Sequence, residues 1–175
     1  QEKPKRTIGE IATLGSSLTN LANSVEQRVK ELQTLYSLAN AIRATSSLPD
    51  LFSKAVRFIP GGMRNTRLVR ARIIIDGKAY VHHDFEVDQV PLSAPITTGA
   101  KARGSVEVHF LRKAKRKGEQ PFTKEEGKLL NEIAHALSEA ISRNEMEASK
   151  ASAESQLRQV QKMEAIGQLT GGIAH

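Results

Sequence analysis

The chain has 175 residues, 26 Lys and Arg against 19 Asp and Glu for a formal charge of +7, 39% hydrophobic residues, and neither Cys nor Trp. Without Cys there is no disulfide scaffold, thiolate metal site, catalytic thiol or thioether-tethered chromophore. Aromatic residues at only 4% lead us to expect an aliphatic core and argue against an aromatic platform for stacking bases.

The start, Gln1-Glu2-Lys3-Pro4-Lys5-Arg6, has no signal-peptide character, and no apolar run approaches the roughly 18 residues of a membrane span. Gln1 is not an initiator Met. We expect a soluble piece of a longer protein.

Over residues 8–44 apolar side chains recur at alternating three- and four-residue spacings with no Pro, which predicts one long helix. Written as heptads, Ile11, Leu18, Val25, Leu32 and Ala39 fall at a, and Leu14, Leu21, Leu35 and Ile42 fall at d. Arg28 alone interrupts the seam. A seam this long predicts a parallel coiled coil between two copies, through Ile11, Leu14, Leu18, Leu21, Val25, Leu32 and Leu35, the alternative being a long helix packed on its own domain.

Thr45-Ser46-Ser47-Leu48-Pro49-Asp50 should stop that helix, and Leu51, Ala55, Val56 and Ile59 should form a shorter one that Pro60-Gly61-Gly62 ends. The period then changes to two. Val69, Ala71, Ile73 and Ile75 alternate with Arg70, Arg72 and Ile74, and Asp76-Gly77 signals a two-residue hairpin turn into a return strand over 78–84. Further strands are expected over 90–97 and 102–111, with Val106, Val108 and Phe110 on one face. The predicted fold class is α+β, an antiparallel sheet with helices on one side, flanked by long N- and C-terminal helices.

Pro121-Phe122-Thr123 should open the last helix, with Thr123 as N-cap and Glu126 completing a capping box. Leu130, Ile133, Leu137 and Ala140 form a seam whose continuation, Asn144, Glu147, Ala151 and Glu154, is mostly polar. Met163, Ile166, Thr170 and Ile173 restore a seam in a new register, so a loosely specified stretch of helix joins the two.

The segment 162–175, Lys-Met-Glu-Ala-Ile-Gly-Gln-Leu-Thr-Gly-Gly-Ile-Ala-His, resembles the H-box of sensor histidine kinases. The resemblance implies that His175 is the phosphoacceptor of an ATP-dependent protein-histidine kinase. The heptad reading agrees independently, because with Met163 and Thr170 at a, and Ile166 and Ile173 at d, His175 falls at the outward f position. A neutral imidazole is nucleophilic near neutral pH, and phosphoryl transfer needs in-line positioning more than covalent help. Residues 29–144 are similar to a compact GAF sensor domain. The similarity rests on Ile59-Pro60, on Ala71-Arg72-Ile73 with Asp76-Gly77-Lys78, on Gly104-Ser105-Val106-Glu107-Val108, and on Pro121-Phe122 with Lys124-Glu125-Glu126. The long insert that builds a ligand pocket in many such domains has no counterpart, since only 86–89 separates two strand candidates. Glu10-Ile11-Ala12-Thr13-Leu14 through Glu26-Gln27-Arg28-Val29 resembles the second helix of a HAMP relay module, with Gly9 where an acidic residue is usual and Ala12 where Gly is usual.

These resemblances divide the chain into a HAMP-like helix end (1–28), a GAF-like domain (29–144), and a signalling helix running into the phosphoacceptor helix (145–175). They imply a two-component signal relay on the cytoplasmic side of a membrane-anchored homodimer, with a response regulator receiver domain as partner. ATP and Mg²⁺ belong to the ATP-binding domain of the parent. The segment itself has no Gly-rich phosphate loop and no Mg²⁺ carboxylate set, so it should be inactive alone and hold no cofactor or metal. Two other readings stand beside this one: a small-molecule-binding sensor module, and a structural coiled-coil dimerisation cassette.

The remaining histidines argue against metal or haem. His82 and His83 are adjacent on a predicted strand and point to opposite faces, with His82 on the inner face beside Tyr80. His109 is expected on the outer face, and His135 on the last helix, with no supporting carboxylate or paired-His spacing. The basic run Arg112, Lys113, Lys115, Arg116 and Lys117 lacks interleaved aromatics and reads as a solvated loop, not a nucleic-acid site.

Overall fold

A computed structural model describes residues 3–82, 90–111 and 122–173. Helix α1, Lys3–Ala44, is followed by α2, Leu48–Phe58, and by two short 3₁₀ turns, Ile59–Gly62 and Thr66–Leu68. Strands β1, Val69–Ile75, β2, Lys78–Val81, β3, Leu92–Thr98, and β4, Lys101–Phe110, precede α3, Lys124–Ile173. The sheet is antiparallel throughout, in the order β2-β1-β4-β3.

The α+β expectation holds, with three adjustments at element ends. Helix α2 begins at Leu48 because Pro49, placed in its first turn, has no N–H to lose there. The return strand stops at Val81, and residues 83–84 of the expected strand lie outside the described residues. Strands β3 and β4 are displaced by one or two residues from the predicted ranges.

Alternation fixes which side of the sheet is covered. Val69, Ala71, Ile73 and Ile75 of β1 are buried, as are Ala94 and Ile96 of β3 and Val106 and Val108 of β4. Against this face pack Phe52, Ala55 and Val56 of α2 and Leu130, Ile133, Leu137 and Ile141 of α3. The β1–β2 turn has Asp76 at φ 49° and Gly77 at φ 81°, both positive, as the primed hairpin turn requires. Gly104 is required by space: a Cβ there would lie 1.8 Å from the Ile74 carbonyl oxygen on β1. Phe110 is only half-buried, its ring 4.8 Å from that of Phe122.

A bulge between Ile96 and Thr97 breaks the β3–β4 register. The amide of Thr97 donates to Ser138 Oγ of α3 at 3.1 Å, and that hydroxyl donates in turn to the Ala134 carbonyl at 2.8 Å. The irregular strand is thereby tied to the helix that covers it, and no polar group of the pair is wasted.

Candidate functional site: two exposed helical seams and their polar anchors

Helix α1 carries two stripes. Glu31, Thr34, Leu38 and Ala41 are buried against the domain, with Gln27 half-buried in line with them. Each seam residue follows one of these in sequence, Arg28 after Gln27, Leu32 after Glu31, Leu35 after Thr34 and Ala39 after Leu38. One residue turns the helix by about 100°, so the seam lies to one side of the core-facing stripe. Ile11, Leu14, Leu18, Leu21, Val25 and Leu32 are exposed, Leu18 at 64% and Leu32 at 66%. Leu35, expected in the same seam, is partly packed against the domain's own core.

Helices α1 and α3 run in the same direction. One cleft between them is lined by Arg28, Glu31, Leu32 and Leu35 on α1 and by Glu125, Lys128, Leu129 and Glu132 on α3. Further along, Ile42 and Arg43 line a cleft with Ala140, Arg143, Asn144 and Glu147. Residue numbers rise together on both helices. Residues 3–22 therefore project from one end of the domain by about 30 Å, and 148–173 from the other by about 39 Å.

The first α3 seam belongs to the core, as expected of Leu130, Ile133 and Leu137. Leu130, Ile133, Leu137 and Ala140 are buried in the domain's own core and are not free to pair with another helix. Beyond Ile141 the helix emerges, and its large apolar residues Met146, Leu157, Val160, Met163, Ile166, Leu169 and Ile173 are exposed. Leu157 and Val160 are out of phase with the heptad of Met163, Ile166, Thr170 and Ile173, so the register changes between Val160 and Met163 inside an unbroken helix. His175 lies outside the described residues; the helix that leads to it is described to Ile173.

Two polar anchors hold α3. At its first turn the capping box forms as expected: Glu126 N donates to Thr123 Oγ1 at 3.2 Å, and Thr123 N donates to Glu126 Oε2 at 2.7 Å. The other carboxylate oxygen of Glu126 accepts from the Arg64 amide at 2.8 Å. Two residues back from Arg64, Gln27 of α1 donates to the Gly62 carbonyl at 2.8 Å. The second anchor is Arg103 of β4, which donates to both carboxylate oxygens of Asp76 at 2.8 and 2.6 Å and also to Glu145. Its hydrogen bond holds the Asp76 carboxyl below the usual range despite the opposing effect of desolvation, and the two carboxylates push the Arg103 guanidinium up.

The sheet face turned away from the helices carries a further cluster. Arg72 donates twice to Glu107 Oε2, at 2.8 and 2.6 Å, Ser105 donates to Oε1 at 3.1 Å, and His109 Nε2 lies 3.1 Å from Oε2. Burial pushes the Glu107 carboxyl up, but the hydrogen bonds from Arg72 and His109, with Ser105, outweigh it and leave it below its ordinary value. His109 is on the outer face as expected, yet it is buried and does have a carboxylate beside it. The pairing of β1 with β4 brings Glu107 opposite Arg72, a juxtaposition that needs the strand register and is invisible in either strand alone.

His82 is half-buried, and His83 and the basic run 112–117 lie outside the described residues. His135 is exposed, 3.6 Å from Glu139 one turn on. Among the described residues no group of three or more His, Cys, Asp or Glu side chains is placed to hold a metal ion, and no helix is long and apolar enough to cross a membrane. No family model matches the chain, and no curated protein matches it significantly.

Proposed function

We propose that the chain is the relay and phosphoacceptor segment of a dimeric, membrane-anchored sensor histidine kinase, its GAF-like domain standing between a HAMP-like input helix and an H-box-like output helix. The observation that supports this most is the disposition of α1 and α3, which run in one direction from opposite ends of one domain, each with an exposed apolar seam. A two-fold axis along them would set α1 beside α1 and α3 beside α3, burying both seams in parallel pairs. A rotation or shift received by the first pair would then reach the second through the domain.

On this reading His175 is the nucleophile. Its neutral ring nitrogen attacks the γ-phosphorus of ATP in line, the bond to the leaving ADP oxygen breaks, and the phosphoryl group passes to the receiver domain of a response regulator. The test is direct: the intact parent incubated with labelled ATP should acquire an acid-labile, base-stable phosphate that His175→Gln abolishes. Label on a serine, or normal labelling of the His175→Gln parent, would leave the dimerisation cassette as the better account.

A small-molecule sensor is the second reading, favoured by the gathering of Arg72, Glu107 and His109 on the sheet face opposite α2 and α3. An organic ligand retained through purification and lost on Arg72→Ala would support it.

A further inference from the structure

The seam interruption at Arg28, the domain and the first turn of α3 are joined by one run of hydrogen bonds. Arg28 Nη1 donates to Glu31 Oε2 at 2.7 Å, and Glu31 is buried. The other Glu31 oxygen lies 3.3 Å from Gln27 Nε2, which also holds the Gly62 carbonyl at 2.8 Å. Gly62 leads through Met63, fully buried, to the Arg64 amide, which donates to Glu126 in the α3 capping box. Packing stiffens the same path: a Cβ on Gly62 would lie 2.6 Å from Leu129 Cδ2 of α3 and 2.9 Å from Thr34 Oγ1 of α1. At Gly62 the turn is therefore in close contact with both helices.

We propose that Gln27 is the positioning residue that passes a displacement of α1 to α3, by holding the Gly62 carbonyl and so the Arg64 amide against Glu126. The proposal rests on the reading that the α1 seams of two copies pair. The sheet is bypassed, because the path runs through α1, residues 62–64 and the first turn of α3. The donor atom carries the role, since a carbonyl needs an N–H and gains nothing from shape alone.

The absence of Cys makes a disulfide test clean. In otherwise unaltered chains, Leu21→Cys or Ala22→Cys is oxidised to lock the α1 pair in two phases about 100° apart. Amide hydrogen exchange is then read over 124–130 and 157–170. The two locked forms should differ by at least about threefold in protection there. Gln27→Met should abolish the difference, and Gln27→Lys, which restores a donor, should recover it. Persistence of the difference in Gln27→Met, or no difference in the locked parent chain, overturns the relay through Gln27 alone. Failure of both cysteines to cross-link overturns the seam pairing and the relay with it.

Discussion

Arg103, on β4, is hydrogen-bonded to Glu145, one turn past Ile141, the last buried residue of α3. The same guanidinium grips Asp76 in the β1–β2 turn, so the point where α3 leaves the domain is fastened to the tip of a hairpin. The exit of the helix is thus set by the sheet, while its entry is set by α1 through Gly62 and Glu126. Arg103→Gln should leave the core intact and lower amide protection over 141–146 by about tenfold. Unchanged exchange there would show that packing of Ile141 fixes the exit unaided.

The core should respond to truncation in the way of a dry aliphatic interior. Ile73 is fully buried at the middle of β1, and Ile73→Ala should cost about 2–5 kcal/mol in denaturant unfolding. Gly104→Ala should be worse, because its Cβ would meet backbone that cannot swing aside. A Gly104→Ala chain with wild-type stability would mean that the β1–β4 spacing is looser than described.

Much of this fold was legible in the sequence because its signals are local. Alternation over 69–75 with Asp76-Gly77 gave the hairpin, and Thr123 with Glu126 gave the start of α3. The direction a helix stripe faces is not local. Leu130, Ile133 and Leu137 lie in the core as expected, but Leu35, counted in the α1 seam, packs partly on the domain, since a short amphipathic stretch has the same periodicity whichever surface it covers. The contribution of Met63 to the core went unread for a related reason: a single apolar residue in a turn carries no period. Gln27 and Gly62, 35 positions apart, met only once the chain had folded. The Arg72–Glu107 pair needed the β1–β4 register.

Loss of the α3 cap tests a residue with two duties. Glu126 is 4% exposed and satisfies both the Thr123 and Arg64 amides. Glu126→Ala strips two donors of their acceptor and should destabilise the chain by about 1–3 kcal/mol. Glu126→Gln, which keeps one carbonyl acceptor, should recover part of the loss. Equal loss in both variants would show that charge, not hydrogen bonding, is what the first turn of α3 needs.

Assembly follows from the exposed seam. The chain should sediment as a dimer at about tens of micromolar, and Leu18→Glu should give a monomer that keeps its secondary structure in the domain. Residues 146–173 have Gly167, Gly171 and Gly172 on a helix with no packed face, so helicity there should rise with concentration in the wild type and not in Leu18→Glu. A wild-type monomer at that concentration would remove the basis for a two-fold relay.

The Glu107 cluster should govern the acid limb of stability. Its carboxyl lies below the ordinary value in the folded chain, because the hydrogen bonds from Arg72, His109 and Ser105 outweigh burial. A depressed carboxyl contributes stability that is fully present above its unfolded value, near 4.3, and that is lost as the pH falls through the lower folded value. At pH 7 the wild type should therefore exceed Glu107→Gln by about 1–2 kcal/mol, the scale of a partly exposed charged hydrogen bond. The gap should narrow steadily below about pH 4 as Glu107 takes up its proton and Arg72 loses a charged partner. Parallel denaturant titrations between pH 7 and 3 measure it, and a gap that stays constant over that range would mean that Glu107 acts here by shape and not by charge.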